Sequence, residues 1–185
     1  MKLVQLLAVG NVGRPVLERL RTGMASAFGV DCEIVSAVLD PRPSYHPERQ
    51  QHHSSELLQR MQELPRSRNV HTLGITDVDL YIPILKYVFG EAQLGGSCAL
   101  VSFCRLRQEF YGLESDDVLL GERVLKESMH ELGHTLNLRH CQDYRCAMAS
   151  AHAVEYIDLR EAVFCQSCAK RAGLDRVLGG WLNRW

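Results

Sequence analysis

The stretch HELGHTLNLRHCQDYRCAM, His130–Met148, gathers three histidines, one glutamate and two cysteines into nineteen residues. His130 and His134 stand four apart, so on an α-helix their imidazoles share one face, one turn from each other. Two rings so placed can meet a single metal ion. Glu131 is set to the side of the pair, where a carboxylate can border the metal and touch a water without being a ligand. A catalytic zinc takes three protein ligands and keeps a fourth position open. His140 follows His134 by six residues, long enough for the helix to end and the chain to bend back as the third ligand. Zinc in such a site lowers the pKa of its water to about 7. Glu131 is then expected to take that water's proton and deliver it to a leaving amine. A bare HExxH also fits a helix with surface histidines; the extension to His140 argues for the metal.

The helix that carries these residues reads as GERVLKESMHELGHTLNL, Gly121–Leu138. At about 100° per residue, Leu125, Met129, Leu132 and Leu136 fall in one stripe, the expected core face. His130 and His134 fall opposite it, with Glu127 and Arg123 nearby. Asn137 is expected in the left-handed region, ending the helix, because Asn follows Gly in tolerance for that conformation.

The cysteines suggest a second site. Cys141 and Cys146 enclose four residues, and Cys165 and Cys168 form a CxxC. Four thiolates make a closed tetrahedral zinc site with no room for substrate. A redox CxxC is the alternative, but it leaves Cys141 and Cys146 unexplained. Two zinc ions per chain are therefore expected, one catalytic and one structural. Since His140 and Cys141 are adjacent, the structural zinc is expected to fix the loop that presents His140.

HExxHxxGxxH followed by a methionine turn is the metzincin signature, with Asn137 here in place of its glycine. With the cysteine tetrad added, HExxHxxNxxHC, then x4-C-x-M, then a spacer and CxxC, the chain resembles an archaemetzincin. The resemblance runs over most of the chain in length and element order, and its decisive motifs lie between His130 and Cys168. It implies a zinc-dependent peptidase and assigns Met148 as the methionine beneath the catalytic metal. It also implies an archaeal or related intracellular source and an upper-lobe sheet whose antiparallel edge strand lines the cleft. Either GGSCALVSF or the YVFGEA strand before it fits that edge.

Outward from the motif, KLVQLLAVG reads as a buried strand, and GNVGRPVLERLRTGMASAF as a helix with Pro15 in its first turn. DCEIVSAVLD is a second strand and PRPSYHPERQQHH a loop near the cleft. SSELLQRMQEL is a short helix opened by serine. HTLGITDVDLY is a third strand, and KYVFGEAQLGGSCALVSFCRL two strands about a Gly-Gly turn. FCQSCAKRAGLDRVLGGWLNRW suggests a short helix and a tail. The expected fold is α+β or α/β: a two-lobed, metzincin-like zincin with a twisted mixed sheet, an active-site helix and a small zinc-stapled C-terminal lobe. One domain over residues 1–185 is expected, the upper lobe about 1–137 and the lower about 138–185.

Composition narrows the function. A formal net charge of −1 provides no basic field for nucleic acid or anionic membrane. No apolar run reaches a membrane span, and the N-terminus lacks a signal-peptide cleavage pattern. Seven cysteines, an odd number, argue against a disulfide framework. Cys32, Cys98 and Cys104 lie in apolar strand-like runs and are expected as reduced core residues. His46, His52, His53, His71 and His152 are expected as surface or loop residues. GNVG lacks a phosphate-loop ending and reads as an ordinary strand-helix turn. The expectation is a cytoplasmic, monomeric zinc metallopeptidase acting on peptide or protein substrates without a pro-domain. The rivals are a zinc-stabilised peptide-binding protein with little turnover and a zinc-ribbon nucleic-acid module; neutral charge counts against the latter, and Glu131 against the former.

Overall fold

The computed structural model describes residues 3–29, 31–65, 67 and 69–174. Apolar runs at the start of the chain form β1 (Leu3–Val9) and β2 (Asp31–Leu39), joined by α1 (Arg14–Phe28). Pro15 sits in the first turn of α1, where its missing N–H costs nothing. The helix ends at Gly29 with φ 62° and ψ 27°, a left-handed geometry that glycine adopts without penalty. The segment read as a loop instead holds two short strands, β3 (Tyr45–His46) and β4 (Gln51–His53). Helix α2 (Ser54–Gln62) follows. Its first serine does not cap it: Ser54 Oγ donates to Glu91 and lies 3.1 Å from the Tyr81 carbonyl.

The third expected strand divides in two, β5 (Val70–Thr76) and β6 (Leu80–Tyr81). Then come β7 (Gly90–Ala92) and β8 (Cys98–Ser102) around the Gly-Gly turn. The main sheet has the order β2-β1-β5-β8-β7; its first four strands are parallel and β7 is antiparallel. It is the expected mixed sheet, and YVFGEA supplies its edge. A second small sheet has the order β3-β4-β6.

Parallel strands are buried on both faces, which is why they read as near-continuous apolar runs. Val4 and Leu6 of β1, Leu73 and Ile75 of β5 and Val101 of β8 join one core. Leu7, Val9 and Leu100 join the other, against Leu57, Leu58 and Met61 of α2. The first core also takes Leu17, Leu20 and Met24 of α1 and Val124, Met129 and Leu132 of α3 (Asp117–Thr135). Helix α3 begins at Asp117, four residues before the Gly121 start read from the sequence, because the Asp116 carboxylate accepts the N–H groups of Val118 and Leu119 at 3.0 and 2.9 Å. Two short helices complete the described chain, α4 (Val154–Leu159) and α5 (Gln166–Arg171). The tail read after α5 lies outside the described residues beyond Leu174. Of the core cysteines only Cys98 is fully buried; Cys32 and Cys104 are half-buried. Cys32, Cys104, Cys141, Cys146, Cys165 and Cys168 form no disulfide. No described helix is long and apolar enough to cross a membrane.

Candidate active site and metal centres

The expected core stripe of α3 divides, with Met129 and Leu132 buried and Leu125 and Leu136 only partly so, while the opposite face is buried as well. Arg123, Glu127, His130 and Glu131 are all at most 6% exposed: Asp158, Arg160 and Ala147 pack on the first three, and Gly90 of β7 on Glu131. Ion pairs make this possible. Arg123 grips Asp158 through Nε and Nη2 at 2.7 and 2.6 Å, and Arg160 Nη1 donates to Glu127 Oε2 at 2.8 Å.

The helix stops at Leu136, and Asn137 takes φ 63°. The Asn137 N–H donates to the His134 carbonyl at 2.9 Å and the Leu138 N–H to the Gly133 carbonyl at 3.0 Å. These two bonds and the left-handed residue make the paired closure that turns a chain sharply out of a helix. Leu138 is buried at this turn, and His140 comes back to the histidine pair. The Gly-Gly hairpin braces the same point, Gly95 N–H donating to the His134 carbonyl at 2.9 Å.

The three rings converge, with centroids 4.7, 5.2 and 5.1 Å apart. Nδ1 of His130 lies 2.8 Å from the Ala147 carbonyl and Nδ1 of His134 lies 2.8 Å from the Leu138 carbonyl. A carbonyl accepts only, so each Nδ1 carries the proton and each Nε2 presents a lone pair. These two Nε2 atoms face each other at 3.1 Å. Two lone pairs cannot bond one another, so the arrangement calls for a cation between them. Zn–N bonds of about 2.0–2.1 Å at tetrahedral angles separate nitrogens by about 3.3 Å. Burial lowers the pKa of His130 far below its ordinary value, and lowers those of His134 and His140, with the Arg160 charge adding to each. The rings are thereby kept neutral, as metal ligands must be.

Glu131 is 5% exposed, beside the rings. Burial first, then the neighbouring Glu127, raises its pKa well above the usual carboxylate range, while Arg160 opposes the rise. Its place against the sheet depends on a glycine. A Cβ on Gly90 of β7 would lie 2.7 Å from Glu131 Cγ, so only a bare backbone lets the edge strand pass this close.

The ligand atoms of Cys141, Cys146, Cys165 and Cys168 gather within 4.8 Å of one another. Sγ of Cys141 and Cys165 are 3.8 Å apart, close to the edge of about 3.8 Å that Zn–S bonds of about 2.3 Å give a tetrahedron. Cys146 Sγ accepts the N–H groups of Met148 and Cys165 at 3.4 and 3.3 Å, and Cys168 Sγ accepts Arg171 Nη2 at 2.9 Å. Donors aimed at sulfur suit thiolates. Burial first, with the neighbouring thiols adding to it, pushes the Cys168 thiol up to about 11 against the pull of Arg171, and likewise raises Cys146, a cost that a dication in the cluster removes. Both groups of residues fit zinc.

One short segment serves both clusters. Cys146 faces the thiols, the Ala147 carbonyl takes His130, and Met148 is fully buried beneath α3. The Met148 carbonyl accepts the Cys141 N–H at 2.8 Å. Alongside lies a cleft of about 1010 Å³, lined by His130, Glu131, His134 and His140, between β7 and the 150–152 segment. The remaining histidines divide. His152 lines this cleft, while Nδ1 of His71 pairs with Thr135 Oγ1 at 2.8 Å. The β3–β4 ribbon reaches the cleft indirectly, Arg49 Nη2 donating to the carbonyls of Leu85 and Lys86 at 3.0 and 3.2 Å. Sequence spacing missed Gly90, Glu91 and Arg160. The only available signal was the place of Gly90 in a strand pattern, where glycine often marks a close backbone approach.

Residues 45–173 match the model of peptidase family M54. The chain is similar to the archaemetzincin of Methanocaldococcus jannaschii, 39% identical over 88% of each chain. Among solved structures, it resembles the archaemetzincin of Archaeoglobus fulgidus complexed with malonate, with TM-score 0.79 and 31% identity, covering 91% of this chain and 99% of that one. A zinc-dependent peptidase from Methanocorpusculum labreanum shares the fold with TM-score 0.83 at 24% identity, over 91% of this chain and 99% of that one.

Proposed function

The chain belongs to peptidase family M54 with the archaemetzincins and is a zinc metallopeptidase, and we propose how its residues divide that work. His130, His134 and His140 hold the catalytic zinc, and Cys141, Cys146, Cys165 and Cys168 hold a second, structural zinc, giving two ions per chain. When bound, the catalytic ion supplies Lewis acidity that acidifies water and polarises the scissile carbonyl. Glu131 accepts the proton of the attacking water and returns it to the amine nitrogen of the departing fragment. Its raised pKa suits a group that must both take and give a proton near neutrality. A substrate adds as a strand to the outer edge of β7. That edge has no neighbouring strand among the described residues. Met148 forms the floor under the helix between the ligand histidines, and the turn at Asn137 presents His140.

The observation that carries this reading is the convergence of three imidazoles beside a buried carboxylate at the wall of an open cleft. We take the turn at Asn137 as the divide between an upper lobe and a lower one within a single domain. One chain supplies every group of both sites, which favours a monomer. The thiol cluster needs reduced cysteines, which favours the cytoplasm.

The test is digestion of a mixed peptide library by zinc-loaded protein beside Glu131→Ala, read by mass spectrometry. Cleavage by the wild type alone supports the assignment of Glu131 as base. Equal cleavage by both removes it.

A further inference from the structure

Arg160 follows α4 and enters the cleft lining with Glu127, His130 and Glu131. Its side chain is 2% exposed. A guanidinium has five N–H donors, and this one makes a single side-chain bond, Nη1 to Glu127 Oε2 at 2.8 Å. Its Nε is buried without an acceptor. Buried donors are ordinarily paired. The neighbouring Arg123 shows what a purely structural arginine does here: Nε and Nη2 both engage Asp158, and Nη1 engages the Leu106 carbonyl. Arg105 likewise closes on both oxygens of Asp79. Arg160 alone of these three leaves its Nε without an acceptor, and it does so beside the cleft.

The carboxylates of the cleft are all committed. Glu91 takes the hydroxyls of Ser54 and Ser55, Glu127 takes Arg160, and Glu131 is the base. Two further cations, Lys86 and Arg139, stand exposed at the cleft wall. The lining thus has cationic donors to offer a substrate and no spare acid. Position follows from the chemistry. Glu131 must deliver its proton to the amine nitrogen, so groups clustered about Glu131 face the part of the substrate after the scissile bond. Arg160 bonds Glu127, which stands one turn before Glu131 on the same face of α3.

We infer that Arg160 recognises a carboxylate on the amine side of the scissile bond, supplied by an acidic side chain or by a free C-terminus. The inference rests on the peptidase reading. Arginine suits the task because its planar fork matches a carboxylate bidentately.

Peptides identical except for Glu, Gln, Leu or Lys after the scissile bond, each with a free or an amidated C-terminus, are given to the zinc-loaded wild type. A kcat/KM for Glu about tenfold above Gln in the amidated set identifies the side chain as the source. A similar advantage of free acid over amide in the Gln set identifies the terminus. In Arg160→Lys, which keeps the charge and loses the fork, the favoured ratio falls towards one. Equal rates throughout, a preference for Lys, or an unchanged ratio in Arg160→Lys overturns the inference. Binding of the same peptides to zinc-loaded Glu131→Gln, followed by calorimetry, keeps the question separate from turnover. If the wild type cuts none of them but binding discriminates acid from amide about tenfold, the peptidase assignment fails and the carboxylate site stands. Equal affinities defeat the site whatever the turnover.

Discussion

The sulfur of Met148 lies 2.2 Å from the point that a Cβ on Gly133 would occupy, with the Phe164 ring 3.0 Å from the same point. The glycine inside HELGH is thus a socket: a gap in the helix surface between His130 and His134, filled by a methionine from the following loop. Mid-helix glycine costs about 1 kcal/mol against alanine in propensity, so Gly133→Ala would stabilise an unpacked helix. Here it must push Met148 aside, and overpacking costs about 1–3 kcal/mol. The expected result is a net loss of stability and weaker zinc retention at the histidines, read by urea unfolding and chelator competition. Met148→Ala in the Gly133→Ala background should recover part of the loss. Additive effects in this double-mutant cycle would show that the two residues do not share the space.

The clustering of the three histidines, the place of Glu131 beside them, the thiol tetrad and the helix-ending Asn137 were legible in the sequence because helical period and ligand spacing are local properties. β1, α1, β2 and α2 were legible for the same reason. The ribbon over Tyr45–His53 was not, since strands of two and three residues carry no measurable alternation. Nor was the identity of the edge strand, because β7 is placed by its pairing with β8 and by the bare backbone of Gly90 against Glu131, neither a matter of composition. Arg160 was hidden for another reason. Its partner Glu127 is 33 residues away, and nothing in the spacing of a lone arginine reports a buried pair.

Cys165→Ser should weaken metal at both sites, not at the thiol cluster alone. Removing one thiol frees Cys146, whose neighbour Ala147 fixes His130 and whose segment bridges to Cys141, the residue after His140. Losing a partner that orients a metal-ligating histidine typically weakens metal affinity about 10–100-fold. Metal content by mass spectrometry after dialysis against a graded chelator gives the answer. Full retention of one zinc by the variant, with wild-type affinity, would mean that the two clusters are independent.

Glu127 and Arg160 form an ion pair with side chains 5% and 2% exposed. Breaking such a pair from one side strands a charge in the interior, at a cost of about 3–5 kcal/mol. Glu127→Leu is therefore expected to lose that much stability by denaturant unfolding of the zinc-loaded protein. The double replacement Glu127→Leu with Arg160→Met, which leaves no stranded charge, should recover most of it. A single replacement no worse than the double would mean that Arg160 finds its compensation elsewhere.

Asn137 settles whether the turn or the metal holds His140 in place. At φ 63° an alanine pays about 1–2 kcal/mol for its Cβ against the following carbonyl, whereas glycine pays nothing. If the turn presents His140 to the zinc, Asn137→Ala should lower stability by about 1 kcal/mol and loosen the catalytic metal, because the closing bonds to His134 and Gly133 strain together. Asn137→Gly should hold both at or near the wild-type level, for it keeps the conformation and loses only the side chain. The thiol-bound zinc provides the internal control: the turn lies at the helix end, so its retention should change less than that of the histidine-bound ion. Chelator competition on the two variants, with each zinc followed separately, distinguishes the cases. A glycine variant as impaired as the alanine one would show that the Asn137 side chain, beside Gly95 in the β7–β8 hairpin, matters more than its backbone angle.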